Sequence, residues 1–328
     1  MIKGVKIIGT GKYVPEKILT NDDVAKIVDT SDEWIVTRTG IRERHIAEDN
    51  QATSDLCVDA AKNALESAGV SADSIDLIIV ATLTPDKPFP NTATILQRKI
   101  GATKAACFSL EAACTGFVYG LEVASSMLKA GGMKRALVLG AEKLSSIVNW
   151  EDRNTCVLFG DGAGAAVLEA VDAEDNGYLS GVLASDGNYE NILQTELGGS
   201  AFPLTAENID SEDRYLKMSG REVFKLAVTN MANAVKEALE AAGLSLDDVD
   251  WLIPHQANVR IISAVGDRVG IDPEKVFINV QNYGNTSAAS IPIAFDELAR
   301  SGKLTRGQVV VFVAFGGGLT WGANVLRY

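Results

Sequence analysis

The stretch Ala64-Leu65-Glu66-Ser67-Ala68-Gly69-Val70-Ser71-Ala72-Asp73-Ser74-Ile75-Asp76-Leu77-Ile78 has a counterpart in the same chain. It returns as Ala238-Leu239-Glu240-Ala241-Ala242-Gly243-Leu244-Ser245-Leu246-Asp247-Asp248-Val249-Asp250-Trp251-Leu252, at a constant offset of 174. Each copy reads as the end of an amphipathic helix, a capping glycine, a short polar turn and a buried strand. In the first copy the helix covers residues 53–68 and the strand 75–82. A second pair lies downstream. The loop at Cys114, its helix, Gly131 and a strand at Ala136–Gly140 match Tyr283-Gly284-Asn285-Thr286-Ser287, a helix over 288–299, Gly302 and a strand at Val309–Val313. The local offset there is 171. Two helix–strand segments recurring in one order mark an internal duplication.

That duplication sets the expected fold. Each half alternates strands and helices, which predicts an α/β chain with a parallel-dominated sheet covered on both faces. The halves are expected at 1–172 and 173–328, packed through pseudo-twofold symmetry. On the 171 offset, Cys114 and Asn285 are equivalent residues at facing helix starts. His255 ends the strand matching 75–81, so three polar groups are expected at the seam.

Cys114 opens a helix running through Phe117, Val118, Leu121, Val123, Ala124, Met127 and Leu128, apolar almost all round and therefore buried on most sides. Gly131-Gly132 stop it. A thiol at such a helix N-terminus faces unpaired N–H groups and the positive end of the dipole, which favour a thiolate. The bland alternative is a packing cysteine.

Composition narrows the function classes. The chain has 328 residues, 47% of them hydrophobic and 22% charged, enough for a large globular core. A formal charge of −13 argues against nucleic-acid binding, because little would drive counterion release. Cys57, Cys107, Cys114 and Cys156 form no CxxC or Cys/His cluster, which speaks against a zinc site or disulfide framework and fits the cytoplasm. The run Val5–Ile8 is too short for a signal peptide, and no stretch approaches the roughly 20 apolar residues of a membrane span. Gly9-Thr10-Gly11 ends a strand over residues 2–10 and lacks the third glycine of a dinucleotide fingerprint.

Of the two histidines, His45 lies among Arg42, Glu43 and Arg44 and reads as surface, whereas His255 follows a buried strand directly. Strand C-termini in α/β sheets present functional groups. Asn285 sits in a Gly-Asn-Thr-Ser loop, where a plain N-cap is the alternative. Phe315-Gly316-Gly317-Gly318 follows the last buried strand, and its N–H groups suit an oxyanion hole. Ser31-Asp32-Glu33-Trp34 reads as a helix cap with Trp34 and Arg38 one turn apart. With Arg42 and Arg44 it is either a solvated basic face or an aromatic–guanidinium nucleotide clamp. Cys, His and Asn in this order, with His255 141 positions after Cys114, also fit a papain-like protease. The local signature of that class around the cysteine is absent, and an αβ duplication is foreign to it.

Four motifs together resemble the β-ketoacyl-acyl-carrier-protein synthase III family of condensing enzymes. They are Ala112-Ala113-Cys114-Thr115-Gly116-Phe117, Phe159-Gly160-Asp161-Gly162-Ala163-Gly164, Pro254-His255-Gln256-Ala257-Asn258 and Tyr283-Gly284-Asn285-Thr286-Ser287-Ala288-Ala289-Ser290. The resemblance implies a thiolase-like fold, an internally duplicated five-layer αβαβα. Thiolases use a second cysteine in the glycine loop, and this chain has none beyond Cys156; elongating synthases use two histidines, and Asn285 takes the second place. Related polyketide ketosynthases and a non-catalytic carrier-binding paralogue are the remaining alternatives. The resemblance implies that an acyl-CoA starter acylates Cys114 and that malonyl-acyl-carrier protein condenses with it, initiating fatty-acid synthesis. Cys114, His255 and Asn285 would be catalytic, with the N–H groups of Cys114 and Gly317 as oxyanion hole. No metal or redox cofactor is implied. CoA would meet Trp34, Arg38, Arg153, Gly220, Phe224 and Asn258, with Asn154 standing where a glycine is common. Phe89 would floor the partner's acyl pocket in a homodimer. The acidic carrier would dock on Lys225, Gln256, Ala257, Asn258, Val259, Arg260 and Arg268, with Asp267 weakening that patch. The preferred starter stays open.

Overall fold

The computed structural model describes residues 3–328, so Ile2 of the expected first strand lies outside the described residues. The strands are β1 (Gly4–Tyr13), β2 (Ile18–Thr20), β3 (Glu43–His45), β4 (Leu77–Ala81), β5 (Ala106–Leu110), β6 (Arg135–Glu142) and β7 (Gly162–Val171). There follow β8 (Tyr178–Ser185), β9 (Leu193–Thr195), β10 (Leu216–Met218), β11 (Trp251–Pro254), β12 (Val309–Gly316) and β13 (Thr320–Arg327). The helices are α1 (Asn21–Val24), α2 (Asp32–Thr39), α3 (Thr53–Ala68), α4 (Thr92–Ile100), α5 (Gly116–Lys129) and α6 (Arg153–Cys156), then α7 (Gly220–Ala242), α8 (Val259–Val269), α9 (Val280–Tyr283) and α10 (Ser290–Arg300).

Two sheets dominate, ordered β1-β7-β6-β4-β5 and β11-β12-β13-β8. Read from its other edge, the second repeats the first strand for strand: β8, β13, β12 and β11 stand where β1, β7, β6 and β4 do. The counterpart of β5 has shrunk to a single parallel bridge, Leu252 to Val276. The period-2 alternation of strands sorts the core. Leu77 and Ile79 of β4, Val138 of β6 and Phe312 of β12 face Phe117 and Leu121 of α5 and Phe295 of α10 between the sheets. Ile78, Val80 and Leu139 face α3 on the outside, and Val311 and Val313 face α7 and α8. The layers therefore run helix, sheet, helix pair, sheet, helix: the five-layer αβαβα of the thiolase fold.

Two expectations need correction. The sheets are mixed rather than parallel-dominated: β4 pairs in parallel with β5 and β6, and β11 with β12, but β7 and β13 run antiparallel to both neighbours. Only three residues, Gly317–Leu319, join β12 to β13, and no long helix separates β6 from β7, so the chain reverses instead of crossing over. The offset at the second pair is also 174 rather than 171. Single 3-10 turns Ala113–Thr115 and Ser287–Ala289 precede α5 and α10, which begin at Gly116 and Ser290. Cys114 is therefore equivalent to Ala288, and Asn285 to Glu111. The 171 spacing of Gly131 and Gly302 arises because α5 has 14 residues and α10 only 11.

Candidate active site

Cys114 sits in the 3-10 turn feeding α5, buried between the sheets. Its neighbours pin the turn. The Thr115 hydroxyl donates to the Thr320 carbonyl at 3.1 Å, the Thr320 hydroxyl donates to the Ala112 carbonyl at 3.0 Å, and the Ala113 N–H donates to Glu111 Oε1 at 2.8 Å. The glycine loop comes close from the other side: a Cβ on Gly316 would lie 2.7 Å from the Cys114 nitrogen. Burial pushes the thiol up to about 12. Burial therefore opposes the thiolate that the helix terminus favours.

His255 follows β11 directly and is also buried. Its Nδ1 lies 2.7 Å from Ser290 Oγ, at the first turn of α10. That oxygen already accepts the Gln256 N–H at 3.3 Å, so satisfying the buried serine requires its proton to point at Nδ1. Nε2 then carries the imidazole hydrogen. Burial pushes the ring down to about 4, keeping it neutral near pH 7.

Asn285 precedes the second 3-10 turn. Its backbone pairs with Leu158 and Gly160 in an isolated bridge between α6 and β7, and its Oδ1 accepts the Ser287 N–H at 2.9 Å. The NH2 is the group left to donate. Cys114, His255 and Asn285 line one cavity of about 580 Å³, with Phe224, Asn258 and Gly317. The expected triad and glycine loop are thus brought together.

The aromatic–guanidinium cluster forms at one face of α2, whose N-cap Ser31 accepts the Trp34 N–H. The guanidinium groups of Arg38 and Arg153 lie over the Trp34 ring at 4.3 and 4.9 Å. Asn258 caps α8 and donates to the Arg38 carbonyl at 3.1 Å. Gly220, the first residue of α7, lines the cavity. Arg44 does not belong to this face: it is fully buried and donates to the carbonyls of Leu19 and Val157 and to Asn21 Oδ1. His45 is half-buried and stacks on Tyr283, rather than lying at the surface.

The carrier face is only partly as expected. Lys225, Arg260 and Arg268 are exposed, and so is Asp267. Arg260 spends one nitrogen on the Thr37 carbonyl at 3.0 Å. Gln256 is removed from this face: it is 1% exposed, and its amide holds the Pro254 and Phe277 carbonyls and the Asn279 N–H. Ala257 and Asn258 line the cavity, and Val259 is half-buried against Gly40. Phe89 is 86% exposed.

Sequence reasoning missed Glu142, Ser287 and Ser290 as members of the site. Glu142 carried a signal, being the single acid closing the run Ala136–Ala141, at a strand C-terminus.

The fold and the three converging groups define a thiolase-fold condensing enzyme, an acyltransferase. Residues 108–187 match the family described as 3-oxoacyl-[acyl-carrier-protein] synthase III, and residues 239–328 match that family's C-terminal part. A β-ketoacyl-[acyl-carrier-protein] synthase III of Desulfitobacterium hafniense is 54% identical over 99% of this chain and 98% of the relative. The crystal structure of 3-oxoacyl-[acyl-carrier-protein] synthase III from Aquifex aeolicus superposes with a TM-score of 0.91 at 50% identity, covering 99% of this chain and all of the other. The priming β-ketosynthase of the R1128 polyketide pathway superposes with a TM-score of 0.92 at 36% identity, covering 99% and 96%. The chain belongs to the β-ketoacyl-acyl-carrier-protein synthase III family, the condensing enzymes that initiate fatty-acid synthesis.

Proposed function

We propose that the chain condenses an acyl-CoA starter with malonyl-acyl-carrier protein, releasing CoA and CO2, through an acyl-Cys114 intermediate. The observation that carries this reading is the convergence of Cys114, His255 and Asn285 on one cavity. Cys114 attacks the thioester, and the N–H groups of Cys114 and Gly317 stabilise the tetrahedral oxyanion. The close packing of the glycine loop on the Cys114 turn supports that pairing. After CoA leaves, the malonyl thioester carbonyl accepts hydrogen bonds from His255 Nε2–H and the Asn285 NH2. Decarboxylation puts negative charge on that oxygen, and two neutral donors stabilise it. The resulting carbanion attacks the acyl-cysteine. None of these steps requires a metal or redox cofactor.

The stack of Arg38, Trp34 and Arg153 supports a seat for the CoA nucleotide, with Gly220, Phe224 and Asn258 along the pantetheine. The exposed Lys225, Arg260 and Arg268 support a docking face for the acidic carrier. The free edge of β5 and the exposed Phe89 support a homodimer in which Phe89 serves the partner's acyl pocket. The division at residue 172 gives the nucleophile to one half and the donors to the other. A cytoplasmic setting follows from these substrates; among the described residues, no helix is long and apolar enough to cross a membrane.

The test is intact-mass measurement after mixing the protein with acetyl-, branched and longer acyl-CoAs. The wild type gains an acyl group, whose identity gives the starter, and Cys114→Ala gains none. Asn285→Ala still acylates but loses roughly two to three decades of decarboxylation rate, as removal of one such donor does. Acyl transfer to the alanine protein would assign the nucleophile elsewhere.

A further inference from the structure

Arg44 is a charged side chain that none of the steps above uses. It belongs to β3, has no exposed surface, and among the described residues it joins no ion pair. Its Nη1 donates to the Leu19 carbonyl at 3.1 Å and to Asn21 Oδ1 at 2.9 Å, and its Nη2 donates to the Val157 carbonyl at 2.7 Å. Its Nε has no partner. A guanidinium keeps its charge inside a protein, so burying one with no counter-anion and an unmet donor is costly. Packing alone would be served better by an apolar side chain.

The fork instead holds the segment that holds Asn285. The Asn285 N–H donates to the Leu158 carbonyl at 2.8 Å, and its carbonyl accepts the Gly160 N–H at 3.1 Å. That pairing is an isolated bridge with no sheet around it. What braces it is β3. Arg44 grips Val157 at one end of the segment, and the His45 carbonyl accepts the Asp161 N–H at 2.8 Å at the other. The same strand reaches the chain just before Asn285: the Arg42 N–H donates to the Gln281 carbonyl at 2.9 Å, and His45 stacks on Tyr283. The stem of Arg44 fills the angle between the two segments. A Cβ on Gly160 would lie 3.0 Å from Arg44 Cβ, and one on Gly284 would lie 3.2 Å from it. The Cys114 turn is pinned separately, by hydrogen bonds that involve neither β3 nor residues 157–161.

We propose that Arg44 is the positioning residue for Asn285, and therefore serves decarboxylation rather than acylation; the inference rests on the acyl-transfer reading above. The planar fork spans Val157 and the corner at Leu19–Asn21, which fixes the bridge and with it the direction of the Asn285 NH2. When the malonyl bond to the carboxylate carbon breaks, its electron pair passes into the enolate and CO2 departs. The enolate oxygen gathers charge where that NH2 points. Arg44 touches no substrate and acts through Asn285.

Two half-reactions measured on the same samples separate this role from a merely structural one. The first is self-acylation at saturating concentration of whichever acetyl-, branched or longer acyl-CoA loads the wild type, followed by intact mass. The second is CO2 release from malonyl-carrier by the preloaded enzyme. Arg44→Met keeps the stem and removes the fork. Its acylation should stay within about threefold of wild type, while CO2 release falls roughly 100-fold, the cost of a misplacement near 1 Å. In a double-mutant cycle, Arg44→Met/Asn285→Ala should release CO2 within about threefold of Asn285→Ala alone, because the first residue acts only through the second. Losses that multiply, equal falls in both half-reactions, or unchanged CO2 release would each overturn the assignment. Should Arg44→Met fail to fold, Arg44→Lys decides by the same comparison: an ammonium lacks the planar fork, so CO2 release should fall roughly tenfold with acylation intact. A wild type that never acylates refutes the acyl-transfer reading, whereas an acylating wild type whose variants match it refutes only the role of Arg44.

Discussion

Ala113 and Ser287, 174 residues apart, hold the same left-handed backbone at φ 44° and 50°, each at the first residue of a 3-10 turn. They are the non-glycine residues at positive φ among the described residues. Such a conformation costs about 1–3 kcal/mol and persists where the surroundings over-determine it. Here the surroundings are each other's half: the two turns meet between the sheets. One aims Cys114, and the other follows Asn285 and carries Ser287.

Gly316 closes over the first turn, and that sets a sharp test. A methyl there would lie 2.7 Å from the Cys114 nitrogen and 3.2 Å from the Ala113 Cβ, so backbone has to move. Gly316→Ala is expected to displace the Cys114 N–H from the oxyanion position. Self-acylation, followed by intact mass, should slow by about 100-fold, the cost of a misplacement near 1 Å. Acylation within threefold of wild type would remove this loop from the oxyanion hole.

At the mouth of the site, Trp34 is held between two guanidinium groups. Trp34→Ala removes the surface on which both Arg38 and Arg153 are ordered. Cation–π contacts contribute about 1–2 kcal/mol, so KM for acyl-CoA should rise roughly tenfold. The KM for malonyl-carrier should stay within twofold in steady-state assays. An equal rise for both substrates would make Trp34 a packing residue only.

Much of this arrangement is legible in the sequence because it is local. Gly69 and Gly243 cap α3 and α7 at φ 65° and 68°, and the repeat around them fixed the correspondence of halves. His255 was legible because a buried strand ends just before it. The register of Cys114 against Asn285 was not, because a three-residue difference in helix length was absorbed downstream of the turns. The antiparallel strands were missed because β12 is fully buried and β13 is buried over residues 322–326, runs whose direction depends on the loop between them. Arg44 shows the limit most plainly: its neighbours Arg42 and Glu43 suggest water, while its guanidinium donates to carbonyls 25 and 113 positions away. Glu142 needed the same non-local knowledge, since Ser287 lies 145 residues downstream.

The proposed carrier face, in contrast, would depend on exposed charge. Lys225 and Arg268 are free in solvent, whereas Arg260 is tied to the Thr37 carbonyl. Reversing the first two in Lys225→Glu/Arg268→Glu places like charges opposite an acidic carrier. KM for malonyl-carrier should rise roughly tenfold at low salt through slower encounter. The difference from wild type should shrink as salt is raised, because screening shortens from about 10 Å at 0.1 M to about 3 Å at 1 M. Acylation by acyl-CoA should be unaffected. A carrier KM that does not respond to the double reversal would put docking on another face.

The last prediction concerns the cost of keeping His255 neutral. The unfolded chain binds a proton on this imidazole as pH falls through its ordinary 6.5, whereas the folded chain resists until about 4. Between those values the unfolded state holds more protons, so stability rises with pH in this window and falls as the solution is acidified. The full contribution is present above pH 6.5, and it is lost progressively down to about 4. At most about 3 kcal/mol is at stake, from 1.36 kcal/mol for each unit of displacement. His255→Gln carries no titrating ring and should lack this term, while carboxylates that titrate in both proteins cancel in the comparison. Urea unfolding at pH 7.5, 5.5 and 4.5 measures it. The stability of wild type relative to His255→Gln should decline steadily across the series. A difference that stays constant with pH would mean that the ring accepts a proton in the folded protein, and the neutral donor assigned to decarboxylation would have to be replaced by an imidazolium.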